Sequence, residues 1–297
     1  MFVVAGESLV DIVRSGDSAD EYAAGGSPLN VAVGLARLGV TTTLVTDFGD
    51  DELGSMLADH LAASGVAVAP ASVVTGRRTS SAAAVLDHAG AATYDFDLHW
   101  DPVPTELPAD ASGLHVGSLG ALLEPGASVV EALLLEAVRR GLPVSYDPNV
   151  RPFFVTDPAD TWRRVRAIAS HAKVVKLSDE DVRTLCPGRP ESECLEQLLA
   201  SSPLVVVTRG AAGASAYTSE GSVDVAITPG PLVDTVGAGD SFMAALLAVL
   251  VEHDWSWERD DLAWILHAAT TAAAVTCSRR GANPPRRREL PPGWPRG

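Results

Sequence analysis

Six short apolar runs recur along the 297-residue chain: Val3-Val4-Ala5, Thr43-Leu44-Val45, Leu114-His115-Val116, Val144-Ser145-Tyr146, Val174-Val175-Lys176 and Leu204 to Val207. They are nearly all apolar, unlike half-wet strands, so each is expected to be buried on both faces. That pattern belongs to a mainly parallel sheet covered by helices. The segments between them carry helical punctuation. Residues 50–64 set Leu53, Met56, Leu57 and Leu61 on one face, with Asp50-Asp51-Glu52 at the start and Gly65 after the end. Residues 28–38 stop at Gly39 after a basic Arg37. An α/β fold in a single domain, residues 1–297, is the expectation.

Two regions break the rhythm. Residues 11–23 and about 79–100 alternate polar and apolar side chains around turn signals, as in Ser80 to Leu86, His88-Ala89-Gly90 and Ala92 to Phe96. They read as antiparallel strands with one wet face, inserted as a small β-sheet lid. From Pro284 onward the chain is rich in Pro and Arg, and a loosely packed tail is expected there, with no role for Arg286-Arg287-Arg288.

Composition excludes several classes. A formal net charge of −16 opposes a nucleic-acid partner. Cys186, Cys194 and Cys277 form no CxxC pair and the histidines show no ligand spacing, which argues against zinc and fits a reducing cytoplasm. The N-terminus lacks a basic segment followed by a long apolar one, so no signal peptide is expected. The longest candidate membrane stretch, Phe242 to Val251, is about half the roughly 20 residues a spanning helix needs. A soluble cytoplasmic protein is expected.

The chemistry is concentrated in Asp234-Thr235-Val236-Gly237-Ala238-Gly239-Asp240. A Gly-Ala-Gly turn leads into Ser241 to Val251, which is apolar nearly all round and must be buried. The start of such a helix points unpaired N–H groups and a positive dipole end outward, through residues small enough for a ligand to approach. Gly237, Ala238 and Gly239 thus form a candidate anion hole for phosphate oxygens. Asp240 stands at the same helix start, placed either as a cap or as a base that takes a hydroxyl proton. No GxxxxGK[ST] loop and no GxGxxG exist, and the chain has only two lysines, Lys173 and Lys176. Phosphate is therefore expected on backbone N–H groups and arginine.

That segment, with Gly25-Gly26-Ser27-Pro28-Leu29-Asn30 and the following Val31 to Gly39, resembles the two signatures of the ribokinase-like (PfkB) carbohydrate kinases. The resemblance runs over essentially the whole chain. It implies a three-layer α/β/α ribokinase-like domain with a β lid, a sugar pocket between lid and sheet, and ATP across the C-terminal strands. In that frame Asp11, Gly25, Gly26 and Asn30 would hold sugar hydroxyls. Asp147-Pro148-Asn149-Val150-Arg151 resembles the family's DxNxR motif, with Asn149 on the acceptor side and Arg151 on the acceptor or the transferred phosphoryl group. Val207-Thr208-Arg209-Gly210-Ala211-Ala212-Gly213 resembles a turn near the ATP phosphates and ribose, giving Thr208, Gly210 and Gly213 as nucleotide contacts. Gly281 would flank the adenine. Asp234 is implied beside an activating K⁺ bound through main-chain oxygens. Where the family often has Asn-x-x-Glu near Mg²⁺, this chain has Ser178 and Asp181, which leaves the Mg²⁺ site altered.

Within the family, His115-Val116-Gly117-Ser118-Leu119 with Glu124-Pro125-Gly126, the DPNVR segment and Lys176-Leu177-Ser178 resemble fructokinases. The rivals are 2-keto-3-deoxygluconate kinase and ribokinase, and from another class a non-catalytic sugar- or nucleotide-binding paralogue. Tyr94 or Phe96 is expected to wall the acceptor pocket, and the lid edges could pair two chains into a homodimer.

Overall fold

The computed structural model describes residues 1–15, 19–86 and 92–296. In chain order its strands are β1 (Phe2–Ala5), β2 (Leu9–Ser15), β3 (Glu21–Gly25), β4 (Thr42–Val45), β5 (Phe48–Gly49), β6 (Ala67–Val68), β7 (Val73–Val74), β8 (Ser81–Leu86), β9 (Ala92–Asp97), β10 (Gly113–Gly117), β11 (Val144–Asp147), β12 (Val174–Ser178), β13 (Leu204–Thr208), β14 (Ala214–Thr218) and β15 (Gly221–Val225). The helices are α1 (Ser27–Arg37), α2 (Glu52–Ser64), α3 (Gly126–Arg139), α4 (Pro158–Ala169), α5 (Asp179–Leu185), α6 (Glu191–Leu199), α7 (Ala238–Glu252) and α8 (Leu262–Cys277).

All six apolar runs become strands of one nine-stranded sheet, ordered β15-β14-β13-β12-β11-β10-β1-β4-β6. The strands from β6 across to β13 are parallel, while β14 and β15 close that edge as antiparallel strands. Both faces are buried, as nearly all-apolar strands require. Phe2, Val4, Leu44 and Val206 face α1, α2, α7 and α8 in one core. Val3, Ala5, Val116 and Val207 face α3, α4, α5 and α6 in the other. The fold is thus the three-layer ribokinase-like arrangement. Strand order reverses between β1 and β10, and the crevice beyond the carboxyl ends of those strands is where open α/β sheets take ligands.

The smaller sheet, ordered β3-β2-β8-β9, arises from the two segments that broke the helical rhythm. The His88-Ala89-Gly90 turn lies outside the described residues. Pairing runs Asp11 with Ala23 on one side and Ala82 on the other, then Ala82 with Phe96. The C-terminal segment corrects the expectation of a loose tail. Leu290 and Trp294 are buried in the core, and the Trp294 indole N–H donates to the Ala268 carbonyl at 3.1 Å. Arg287 pairs with Glu252 and lies over the Trp294 ring. The two apolar side chains outweigh the local Pro/Arg composition. Among the described residues no helix is long and apolar enough to cross a membrane.

Candidate active site

Helix α7 is buried from Asp240 through Leu250, packed between α1 and α8, so its N-terminus can only open toward the crevice. Gly237 caps it in the left-handed region at φ 74°. A side chain there would be strained and would also meet the Cβ of Ala282 at 2.6 Å. Ala238 and Gly239 form the first turn; among the described residues no side chain caps it, and the Ala238 N–H donates to the Thr235 carbonyl at 3.2 Å.

Asp240 is 8% exposed, and both its oxygens are engaged from α1. Ser27 Oγ donates to Oδ1 at 2.6 Å and Asn30 Nδ2 to Oδ2 at 2.8 Å. The Asn30 amide, expected on the sugar, is therefore turned to the carboxylate. Pro28 in the first turn of α1 and Gly26 as its N-cap, at φ 100°, bring both donors to the crevice.

Asp11 sits on β2 in the smaller sheet. Burial pushes its carboxyl up to about 6, opposed by the Arg151 guanidinium and reinforced by Asp240. Gly25 makes room for it, since a Cβ there would collide with the carboxylate. Glu7, immediately beyond β1, is buried and accepts from the Gly120 N–H at 2.6 Å. Burial pushes its carboxyl up to about 7 against the hydrogen bonds it accepts.

Arg151 is exposed, and its Nη1 donates to the Asn149 carbonyl at 3.1 Å and side-chain oxygen at 2.5 Å. Asn149 itself takes a positive φ of 36°, which turns the chain sharply after β11. The Arg151 guanidinium opposes the rise in the pKa of both Asp11 and Glu7.

A group that sequence reasoning missed lies beneath the first turn of α7. Lys176, on β12, is 3% exposed and donates to Asp147 Oδ2 at 2.8 Å. A Cβ placed on Gly239 would be 3.3 Å from its ammonium. Burial works against that charge, but Asp147, Asp181 and Asp240 outweigh it and raise its pKa. Burial also pushes Asp147 up to about 6 despite the pairing. The signal was available, because Lys176 is a charged residue inside an otherwise apolar strand.

Asp181 is spent locally. Its oxygens accept from the Val150 N–H at 2.8 Å and from the Ser178 N–H and hydroxyl at 2.7 Å each, closing a capping box at the start of α5. Asp147 Oδ1, by contrast, is buried and has no hydrogen-bond partner among the described residues. Among the described residues no group of three His, Cys, Asp or Glu could hold a metal by itself.

The remaining residues line the C-terminal strands. Thr208 ends β13 in register with Ser178 on β12. Gly210 and Gly213 take positive φ in the turn that follows, closed by Arg209 N–H to Gly213 O at 2.8 Å. The Asp234 carboxylate accepts from Val236 N–H at 3.0 Å and Gly281 N–H at 2.8 Å, bonds that hold its pKa below the usual carboxylate value. It thereby ties the loop before α7 to the loop after α8.

Comparisons with known proteins bear on the fold and the family. The model of the pfkB family carbohydrate kinases matches residues 3–288. A fructokinase from Rhizobium leguminosarum bv. trifolii is 35% identical over 264 residues, covering 84% of this chain and 79% of the relative. The structure of a fructokinase with bound ATP from Xylella fastidiosa superposes with a TM-score of 0.83 at 27% identity, covering 95% of this chain and 93% of that one. A double mutant of the fructokinase from Vibrio cholerae O395, bound to fructose, ADP and potassium ion, gives a TM-score of 0.80 at 28% identity, covering 95% and 94%. The chain belongs to the pfkB family of carbohydrate kinases, phosphotransferases with an alcohol group as acceptor.

Proposed function

We propose that this kinase transfers the γ-phosphoryl group of ATP to a hydroxyl of fructose, with Asp240 as general base. The observation that carries the reading is the buried Asp240 carboxylate, fixed by Ser27 and Asn30 at the open N-terminus of α7. Base and anion hole then sit within one helical turn, as in-line attack on a phosphoryl group requires. Fructose as acceptor is supported by the fructokinases to which the chain is similar.

In this reading the acceptor hydroxyls rest on Asp11, with the backbone at Gly25 and Gly26 and the side chain of Asn149 nearby. The attacking hydroxyl gives its proton to Asp240. Backbone N–H groups of residues 237–239 and Arg151 receive the charge that develops on the phosphoryl oxygens. Lys176 adds a fixed positive charge under Gly239. Thr208, Gly210, Gly213 and Gly281 accommodate the nucleotide. The smaller sheet acts as a lid that keeps water from the phosphoryl group.

Mg²⁺ usually takes one or two carboxylates plus substrate phosphates rather than a protein cage. The orphaned Asp147 Oδ1 suits that demand, whereas Asp181 acts through its charge because its oxygens are occupied. When bound, the ion would neutralise charge on the phosphate oxygens. K⁺ would be held by main-chain oxygens of the loops that Asp234 ties together. The edge strands β3 and β9 offer a route to a homodimer, supported by the exposed Tyr22 on β3.

The test is ADP release from ATP·Mg²⁺ against fructose, ribose, 2-keto-3-deoxygluconate and adenosine. Turnover with fructose is expected. Turnover only with another acceptor would correct the pocket and keep the mechanism. ATP and sugar binding without any ADP release would replace the enzyme by a non-catalytic binder.

A further inference from the structure

Across the smaller sheet Ala23, Asp11, Ala82 and Phe96 stand directly opposite one another on four adjacent strands. Cross-strand partners point to the same face, so Phe96 shares the face of Asp11. Phe96 packs on Phe153 and Phe154, which follow β11 of the large sheet, so this is the face turned toward the body of the kinase. Two strand spacings separate Asp11 from Phe96, roughly 10 Å between backbones, with only Ala82 between them. A carboxylate and a phenyl ring thus flank the small side chain of Ala82 on one face of the sheet.

Two further rings extend the apolar side. The chain that turns at Asn149 and carries Arg151 continues at once into Phe153 and Phe154. Phe96 meets Phe153 at 5.2 Å and Phe154 at 5.3 Å between ring centroids, and the last two meet each other at 5.1 Å. Phe153 is nevertheless 72% exposed. A phenylalanine left that open, two residues after Arg151 and packed on Phe96, has its unused face available to a ligand.

We propose that Phe96, Phe153 and Phe154 form the apolar wall of the acceptor pocket, with Phe153 as a specificity-determining residue. The ligand class is a neutral sugar that sets its C–H face on the rings and its hydroxyls on Asp11. Sugar rings are two-faced in this sense, and a pocket with a carboxylate opposite aromatic rings matches both faces. The wall touches parts of the sugar that do not react. It therefore contributes the same binding in ground and transition states, and its loss acts on KM rather than kcat.

This rests on the kinase reading above, and the experiment separates the two. Steady-state kinetics of Phe153→Ala with fructose and ATP should show the KM for fructose raised about tenfold, with kcat and the KM for ATP within about twofold. Phe153→Leu should restore part of the affinity, because it restores apolar surface. An unchanged fructose KM in Phe153→Ala, or a loss confined to kcat, overturns the wall while leaving the kinase intact. Phe153 is exposed enough that failure to fold is not expected, and circular dichroism of the variant checks it. Absence of turnover with every sugar in the unsubstituted protein would remove the kinase reading and the wall with it.

Discussion

The Asn30 amide donates a 2.8 Å hydrogen bond to the Asp240 carboxylate, joining the start of α1 to the start of α7 across 210 residues. With the Ser27 hydroxyl on the other oxygen, the carboxylate has a single orientation before any substrate arrives. Replacing Asn30 by Leu removes one donor and leaves a buried acceptor short of a partner. The expected stability loss is about 1–3 kcal/mol in urea unfolding, with a fall in kcat. Unchanged kcat in a folded Asn30→Leu protein would mean that the orientation of Asp240 does not matter.

The raised carboxyl of Asp11 gives a pH signature. Its folded pKa of about 6 lies above the ordinary 3.8, so ionisation near neutral pH opposes folding. Asp11→Asn should therefore raise the melting temperature at about pH 7.5, and the gain should shrink as pH falls through about 6 toward 4. Activity follows the opposite sense, because the ionised form is the better acceptor for sugar hydroxyls. In the unsubstituted kinase kcat/KM for the sugar should fall below about pH 6. A Tm difference that does not vary with pH would rule out the perturbed carboxyl.

Lys176 and Asp147 form a pair that is costly to split. Lys176→Met leaves Asp147 buried beside Asp181 and Asp240 without a counter-charge. The expected loss is about 3–5 kcal/mol, partly recovered in the double variant Lys176→Met/Asp147→Asn. Denaturant unfolding of the three proteins measures it. A single-variant loss below about 1 kcal/mol would show that the pair is not structural.

Much of this could be read from the chain alone, and the misses have physical causes. Val3-Val4-Ala5 and its counterparts are apolar on both faces, so their burial was legible from composition. The α7 turn was legible because an all-apolar helix has only one end to offer. The β14–β15 hairpin was missed, as its Ala- and Ser-rich strands lack a strong apolar run. Lys176 escapes a reading of loops and turns because it reaches the site from inside a strand. The Ser27 and Asn30 bonds to Asp240 join segments too distant for any local pattern to show.

The C-terminal segment makes its own prediction. Trp294 is 8% exposed and bonded to Ala268, so Trp294→Ala should cost about 3–5 kcal/mol while leaving KM for sugar and ATP unchanged. A loss below about 0.5 kcal/mol in thermal or urea unfolding would return the segment to a surface tail.

The central claim, that Asp240 is the base, is tested most directly by Asp240→Asn, measured for fructose turnover and for ATP binding by calorimetry. The account predicts a kcat lower by about two to four orders of magnitude, with the Kd for ATP changed by no more than about twofold. A folded Asp240→Asn protein with near-normal kcat would contradict it.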